Sequence, residues 1–168
     1  LLLVQILLYD QQYHKADICL NKINPLEKQV RDDEDVLLAD CLRLFIRAIQ
    51  NDLSPSGGEK ILKNLQGPKN NNACHFTWWY LALLFSIIGE NKKSTRCLKE
   101  SKKILSCKVA KITDESHRDG FINNNILHHQ IMNLNDKSLT DLTDSFKRQS
   151  DAGGMRKFCA ECGYANID

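Results

Sequence analysis

The sequence predicts an all-α protein made of stacked helical hairpins followed by capping helices. Apolar residues recur at helical spacing in successive segments, and clusters of Gly, Pro and Asn separate these segments. Of the 168 residues, 42% are hydrophobic and 26% are charged, which is typical of a folded globular domain. We divide the chain into a helical repeat domain, residues 1–133, and a C-terminal helix and tail, residues 134–168.

Two helices are predicted at the start of the chain. The first is the mostly apolar stretch 1–11. The second begins at Tyr13, and we expect it to end at Asn24-Pro25, a strong break signal. Its apolar positions follow the i, i+3, i+4, i+7 spacing of one helix face: Ala16, Cys19, Leu20 and Ile23.

The next pair is outlined by its turns. A polar linker at 27–35 leads into a helix at 36–49, which we expect to have neighbours on both sides because it is otherwise apolar. A Gly-rich turn at 54–58 precedes a short helix at 59–65, and a second break follows at 67–72. The first helix of this pair has a single polar stripe: Asp40, Arg43 and Arg47.

The third pair has the clearest pattern. It consists of an apolar helix at 76–88, a turn at 89–91 and a helix at about 92–107. One face of the second helix is small and apolar: Ser94, Leu98, Ser101 and Leu105. The opposite face is basic: Lys92, Arg96, Lys99 and Lys103.

This third pair resembles the tetratricopeptide repeat family. Matching residue types stand at the family's spacing: Trp78, Leu81, Ala82, Phe85, Gly89, Ser94, Leu98 and Ser101. The first pair keeps an aromatic and a small residue, Tyr13 and Ala16, but has Gln11 where the family prefers Gly. In the middle pair, only the helix–turn–helix outline matches the family. The resemblance covers about residues 1–107 and implies an α-solenoid of about three hairpins.

The resemblance also implies a function and a set of contact residues. Such repeats bind a protein or peptide in a groove, and Asn72, Trp79 and Lys92 lie near positions that contact ligands in this family. Residues 111–125 are similar to the segment that closes regulatory repeat arrays in large signalling ATPases of the maltose-activator type and in cyclase-linked repeat proteins. Together with the apolar start at Leu1, this suggests a piece of a larger regulator.

A Cys-x-x-Cys pair, Cys159 and Cys162, resembles one knuckle of a zinc ribbon. Structural zinc takes four ligands, so this pair needs completion. A second knuckle beyond residue 168, a second copy of the chain, or one of His117, His128 and His129 could complete it. A free dithiol without zinc is the remaining interpretation.

Charge is concentrated in the middle of the chain. Residues 61–112 carry ten basic and two acidic side chains, whereas each flank is net negative by three. A solvated helix face explains these lysines, and an acidic partner is the alternative. Nucleic acid is disfavoured because no aromatic side chains that stack on bases interleave with the basic ones.

Other features predict a structural rather than a chemical role. Scattered single cysteines are typical of buried thiols in a reducing compartment, so we expect a cytoplasmic protein. The longest apolar stretch has 13 residues, whereas a membrane span needs about 20. We interpret His128-His129 as a surface pair, and we expect one of Trp78 and Trp79 in the core and the other against a neighbouring hairpin or a groove.

Three hypotheses for function follow. The first is a protein-interaction or regulatory segment of a multidomain signalling protein that binds a protein, a peptide or another domain of its own chain. The second is a metal-linked or nucleic-acid-binding adaptor that uses the basic helix at 92–111 and the Cys159/Cys162 tail. The third is a non-catalytic support region of an enzyme. No nucleophile, phosphate-loop or metalloprotease motif is present, so we expect no catalysis.

Overall fold

The structure, a computed structural model, describes residues 1–30, 33–50, 56–66 and 74–151. Over these residues the chain is all-α, as predicted, with helices joined by turns and no strand. The described residues form helices in this order: α1 (Leu2–Tyr9), α2 (Tyr13–Val30), α3 (Asp33–Ile49), α4 (Ser56–Leu65), α5 (His75–Ile87), α6 (Asn91–Val109), α7 (Glu115–Asn123), α8 (Ile126–Asn133) and α9 (Asp136–Asp151).

Consecutive helices pack in pairs, and α5 lies at the centre of the molecule. Contacts join α1 to α2, α3 to α4, α5 to α6 and α7 to α8. Helix α5 also contacts α3, α4 and α9, and every one of its residues except Phe76 is buried. The expectation that α3 lies between neighbours is confirmed, since it contacts α2, α4, α5 and α9. The apolar core therefore runs through α3 and α5.

Small side chains let α6 approach α5 closely. Ser94 and Ser101 are buried, and their hydroxyls donate to the carbonyls of Ala82 and His75 on α5, each at 2.8 Å. Leu98 and Leu105 of the same face are buried as well. The predicted inner face of this helix is confirmed.

Two turns in the chain share one geometry. Gly89 has φ +81°, and the amides of Gly89 and Glu90 donate to the carbonyls of Ser86 and Phe85 at the end of α5. Gln11 has φ +61°, and the amides of Gln11 and Gln12 donate to Leu8 and Leu7 at the end of α1. Both are helix ends with a left-handed residue, where glycine has the least strain. Gln11 thus takes the position that Gly89 takes in the α5–α6 turn.

The prediction that Asn24-Pro25 ends the second helix is wrong. Helix α2 continues through Pro25 to Val30, and α3 begins at Asp33, so the described residues of the polar linker predicted at 27–35 are helical. A proline removes one amide donor and crowds the preceding turn, which can bend a helix without ending it.

The predicted turn at 54–58 overlaps the first turn of α4. Gly57 and Gly58 are helical, and glycine suits both positions because side chains of neighbouring helices lie very close. A Cβ on Gly58 would be 3.0 Å from Leu84 Cδ2, and one on Gly57 would be 2.8 Å from Leu44 Cδ2. The break predicted at 67–72 lies outside the described residues.

Candidate functional site

The C-terminal helix α9 lies on α3 and α5. Leu139 and Thr143 on its inner face are buried, while Leu142 and Phe146 are half-buried. The hydroxyl of Thr143 forms a hydrogen bond of 2.8 Å with the hydroxyl of Ser86 on α5. Three acidic side chains of α9 are exposed: Asp136, Asp141 and Asp144. Helix α9 is therefore an amphipathic helix that covers the two central helices.

A cluster of aromatic rings holds the C-terminal part of α9. The Phe146 ring meets the Phe45 ring of α3 edge-on, with 5.7 Å between centroids, and the Tyr13 ring of α2 at 6.4 Å. Phe45 also packs against Tyr80 of α5 at 5.5 Å. Edge-on aromatic pairs stabilise such contacts beyond the area that they bury. Through Phe146, α9 joins α2 and α3, which belong to different helix pairs.

The packing beneath α9 is incomplete in two respects. A cavity of 270 Å³ remains, lined by residues of α1, α3, α5, α8 and α9, Trp79 among them. The hydroxyl of Tyr13 is buried and has no hydrogen-bond partner among the described residues, and burial raises the pKa of Tyr13 to about 12. An unpaired buried hydroxyl costs stability, so this surface has polar and apolar contacts left to make.

A second cluster joins α8 to the beginning of α5. The imidazoles of His75 and His128 are 4% and 5% exposed, and their Nε2 atoms lie 3.1 Å apart. On the far side, His128 Nδ1 lies 2.9 Å from the carbonyl oxygen of Phe121, and His75 Nδ1 lies 3.3 Å from Lys108 Nζ. The rings of Phe76 and Phe121 pack on His128.

These contacts determine where the protons lie. A carbonyl oxygen only accepts, so His128 must carry its hydrogen on Nδ1 and present a lone pair at Nε2. His75 then donates from Nε2 to that lone pair, which leaves His75 Nδ1 free to accept from Lys108. The result is one ordered chain of donors from Lys108 through His75 and His128 to the Phe121 carbonyl, with both imidazoles neutral.

The neighbouring thiol does not turn this cluster into a nucleophilic site. Cys74 Sγ lies 3.8 Å from His75 Nδ1, but burial raises the pKa of the Cys74 thiol. Burial, and after it the charge of Lys108, lowers the pKa of His75 to about 3, so this imidazole is a poor base. A reactive cysteine needs a lowered pKa. The geometry indicates a structural hydrogen-bond chain.

The predicted site residues are dispersed. Lys92, Arg96, Lys99 and Lys103 lie exposed along α6, on the side away from α5, as the pattern predicted. Trp79 is one of the residues that line the cavity under α9. Because only 1% of its surface is exposed, it is not accessible to a partner in this structure. Trp78 is buried as well. Three predicted site residues lie outside the described part of the chain: Asn72, Cys159 and Cys162.

The interpretation of His128-His129 as a surface pair is wrong for His128. Only His129 is exposed; His128 turns inward because Asn125 caps α8 and accepts the amides of Leu127 and His128, which fixes the first turn. Sequence analysis missed His75 as its partner. The one available signal was that His75 stands at the start of the most apolar segment, where a polar ring needs a partner.

Among the described residues, no group of three or more His, Cys, Asp or Glu side chains is arranged to hold a metal ion. The described helices also include none with both the length and the apolar character needed to cross a membrane. Comparisons of the chain with protein-family profiles, with curated proteins and with solved structures find no match.

Proposed function

We propose that this chain is a protein-interaction segment of a larger regulatory protein, built as a solenoid of tetratricopeptide-like hairpins, and that its binding surface is the one that α9 covers. The observation that carries this proposal is the position of α9 itself. An amphipathic helix lies across α2, α3 and α5 and is held by one hydroxyl pair and one aromatic anchor. A surface that accepts one such helix is suited to another.

Two features of the helix pairs support the repeat interpretation. The left-handed residues Gln11 and Gly89 end the first helix of the first and third pairs with the same hydrogen bonds. Contacts between α3 and α5, and between α2 and α3, join one pair to the next. This is the nearest-neighbour packing that characterises helical repeats.

The surface favours an amphipathic helix as partner. Helix α9 presents Leu139, Leu142 and Phe146 with a hydroxyl at Thr143, and we propose a ligand helix with apolar residues at the same spacing. The cavity and the unpaired Tyr13 hydroxyl leave room for such a ligand to bind better than α9 does. The described cysteines are free thiols, which fits a reducing, cytoplasmic setting.

The adaptor hypothesis has less support. The basic row on α6 is exposed and is suited to an acidic segment of a protein, but α6 contains no aromatic residue to stack on bases. Zinc binding at Cys159 and Cys162 stays a prediction. We propose no catalytic role.

The proposal is tested with the full chain and a labelled peptide of residues 135–151. Phe146→Ala in the chain weakens the internal helix without altering α3 or α5. We expect the peptide to bind this variant about five- to thirtyfold more tightly than the wild-type chain, measured by fluorescence anisotropy.

Two controls make the result specific. The chain variant Asp141→Asn alters an exposed residue of α9 and should bind the peptide as weakly as wild type does. A peptide that carries Phe146→Ala should not bind to either chain. If the wild-type peptide binds no better to the Phe146→Ala chain than to the others, the surface under α9 is not a helix-binding site.

A further inference from the structure

The two buried histidines connect the C-terminal helices to the repeat region. His75 stands at the beginning of α5, and His128 lies in the first turn of α8, 53 residues further along the chain. We propose that the His75–His128 hydrogen bond is an acid-sensitive connection that holds α8, and with it α9, on α5. The proposal does not depend on whether the surface under α9 binds a partner.

The hydrogen bond between the rings requires an unprotonated Nε2 on His128. His128 accepts at Nε2, and a proton on that atom would abolish the acceptor and place two N–H groups face to face at 3.1 Å. A proton on His75 would go to Nδ1, where it meets Lys108 Nζ at 3.3 Å. Protonation of His128 therefore breaks the hydrogen bond between the rings. Protonation of His75 breaks its hydrogen bond with Lys108 and places two positive charges in contact inside a buried cluster.

The described groups around the pair offer little compensation for an added charge. Lys108 of α6 faces the pair, Cys74 lies beside His75, and the Phe121 carbonyl belongs to the end of α7. Lys108 lowers the pKa of both imidazoles, and His128 lowers that of His75, whereas the hydrogen bond to the Phe121 carbonyl raises the pKa of His128. Glu34 of α3 acts on Cys74, and no carboxylate among the described residues shifts the pKa of either histidine.

Helices α7 and α8 also contact α6, but few of their side chains are buried. Helix α7 has no buried residue, and α8 has two, His128 and Ile131. After α8, Lys102 of α6 donates to the carbonyl of Leu134, and Asn135 caps α9 by accepting the amide of Ser138. The histidine pair is thus one of the two buried anchors of the helix that leads directly into α9.

The expected pH range follows from the two states of His75. Burial, and then Lys108, lowers its pKa in the closed state from 6.5 to about 3, and burial lowers that of His128 too. Between these values the open state binds a proton that the closed state does not. For one proton, the equilibrium constant for opening rises about thirtyfold between pH 7.5 and pH 5.

Hydrogen exchange measured by mass spectrometry on the full chain tests this proposal. After correction for intrinsic exchange rates, we expect the opening constant of α8 and α9 to rise about thirtyfold from pH 7.5 to pH 5 while α3 and α5 keep their protection. A smaller rise than threefold, or an equal loss of protection in α3 and α5, would overturn the proposal.

A matched pair of variants identifies the titrating group. His75→Gln keeps a donor near the position of Nε2 but cannot be protonated, and His129→Gln changes the exposed neighbour of His128. The pH dependence should be much smaller in His75→Gln, where His128 alone can still titrate, and unchanged in His129→Gln. The opposite pattern, or an unchanged dependence in both, contradicts a role for the pair.

A measurement on the wild-type chain keeps the proposal testable if His75→Gln does not fold. Nitrogen-15 NMR distinguishes the two imidazole tautomers, and we expect the hydrogen on Nδ1 for His128 and on Nε2 for His75. Both rings should stay neutral at pH 5 in the closed state. Two imidazoles that titrate near pH 6.5 without a change in α9 protection would show that protonation does not open this connection.

Discussion

The α5–α6 pair and the segment from α7 to α9 are held in place by different forces. Helix α5 is buried along nearly its whole length, and two serines of α6 bond to its backbone. Helix α7 has no buried residue. Helices α8 and α9 are attached through the histidine pair, the Ser86–Thr143 bond, Phe146 and two buried apolar side chains, Ile131 and Leu139. Burial of apolar surface hardly depends on pH, whereas a hydrogen bond between two histidines does. We therefore expect the stability of the C-terminal segment to depend on pH more than that of the α5–α6 pair.

The same substitution in each region should give the largest contrast. Phe85→Ala in α5 removes a fully buried ring and is expected to cost about 3–5 kcal/mol of unfolding free energy. Phe146→Ala in α9 removes a half-buried ring and should cost about 1–2 kcal/mol, with its loss of hydrogen-exchange protection confined to α9. Urea denaturation measures the first effect. Equal losses of unfolding free energy in the two variants would show that α9 is held as firmly as α5.

Mild acid should come next in size. His75 has an unfolded pKa of 6.5 and a folded pKa lowered to about 3, chiefly by burial. Its contribution to stability is complete above pH 6.5 and declines as pH falls toward 3, by up to about 1.4 kcal/mol per pH unit. From pH 7.5 to pH 5 we expect a loss of about 2 kcal/mol in urea denaturation. His75→Gln should remove most of this loss.

The hydroxyl pair beneath α9 should have a smaller effect. Thr143→Val keeps the shape of the side chain but leaves the Ser86 hydroxyl without its 2.8 Å partner, at a cost of about 1–2 kcal/mol. Thr143→Ser retains the hydroxyl and is the control. A thermal melt of both variants would show whether this bond matters. An identical shift for Val and Ser would mean that the hydroxyl pair contributes no more than the methyl group that Ser lacks.

The smallest expected effect concerns the turns. Gln11 and Gly89 have the same left-handed backbone, but only Gly89 lacks a Cβ. Gln11→Gly should stabilise the chain by about 1 kcal/mol because it relieves strain in the left-handed region, and Gly89→Gln should destabilise it by a similar amount. Melting temperatures that move in the same direction would mean that the two turns are not equivalent.

Periodicity predicted those features that depend on one helix alone. The inner face of α6, with Ser94 and Leu98, and its exposed basic row follow from residue spacing, because every turn of a helix repeats the same direction. The end of α2 was missed because proline signals a local break, while the helix continues past it. Gly57 and Gly58 predicted a turn, but glycine also allows close contact between helices. The sequence alone does not distinguish these two uses of glycine.

The candidate site depends on contacts between distant residues. The hydrogen bond between His75 and His128 joins residues 53 apart, and no local pattern indicates that pairing. The same holds for α9, whose position on α3 and α5 follows from the direction of the chain after α8. The prediction of a surface pair at His128 and His129 was wrong for a related reason. The two residues share a sequence context, but a rotation of about 100° along the helix buries His128 and exposes His129.

The connection between α8 and α9 consists only of Leu134 and Asn135. A tether this short keeps a detached α9 at an effective concentration of roughly millimolar or above next to its own surface. Under the proposed function, a ligand helix from solution would compete with α9, and its apparent affinity would be reduced in proportion to the fraction of open molecules. A ligand helix on the same polypeptide, or on a partner already bound nearby, would compete on equal terms. The length of this connection would therefore favour ligands that are themselves tethered.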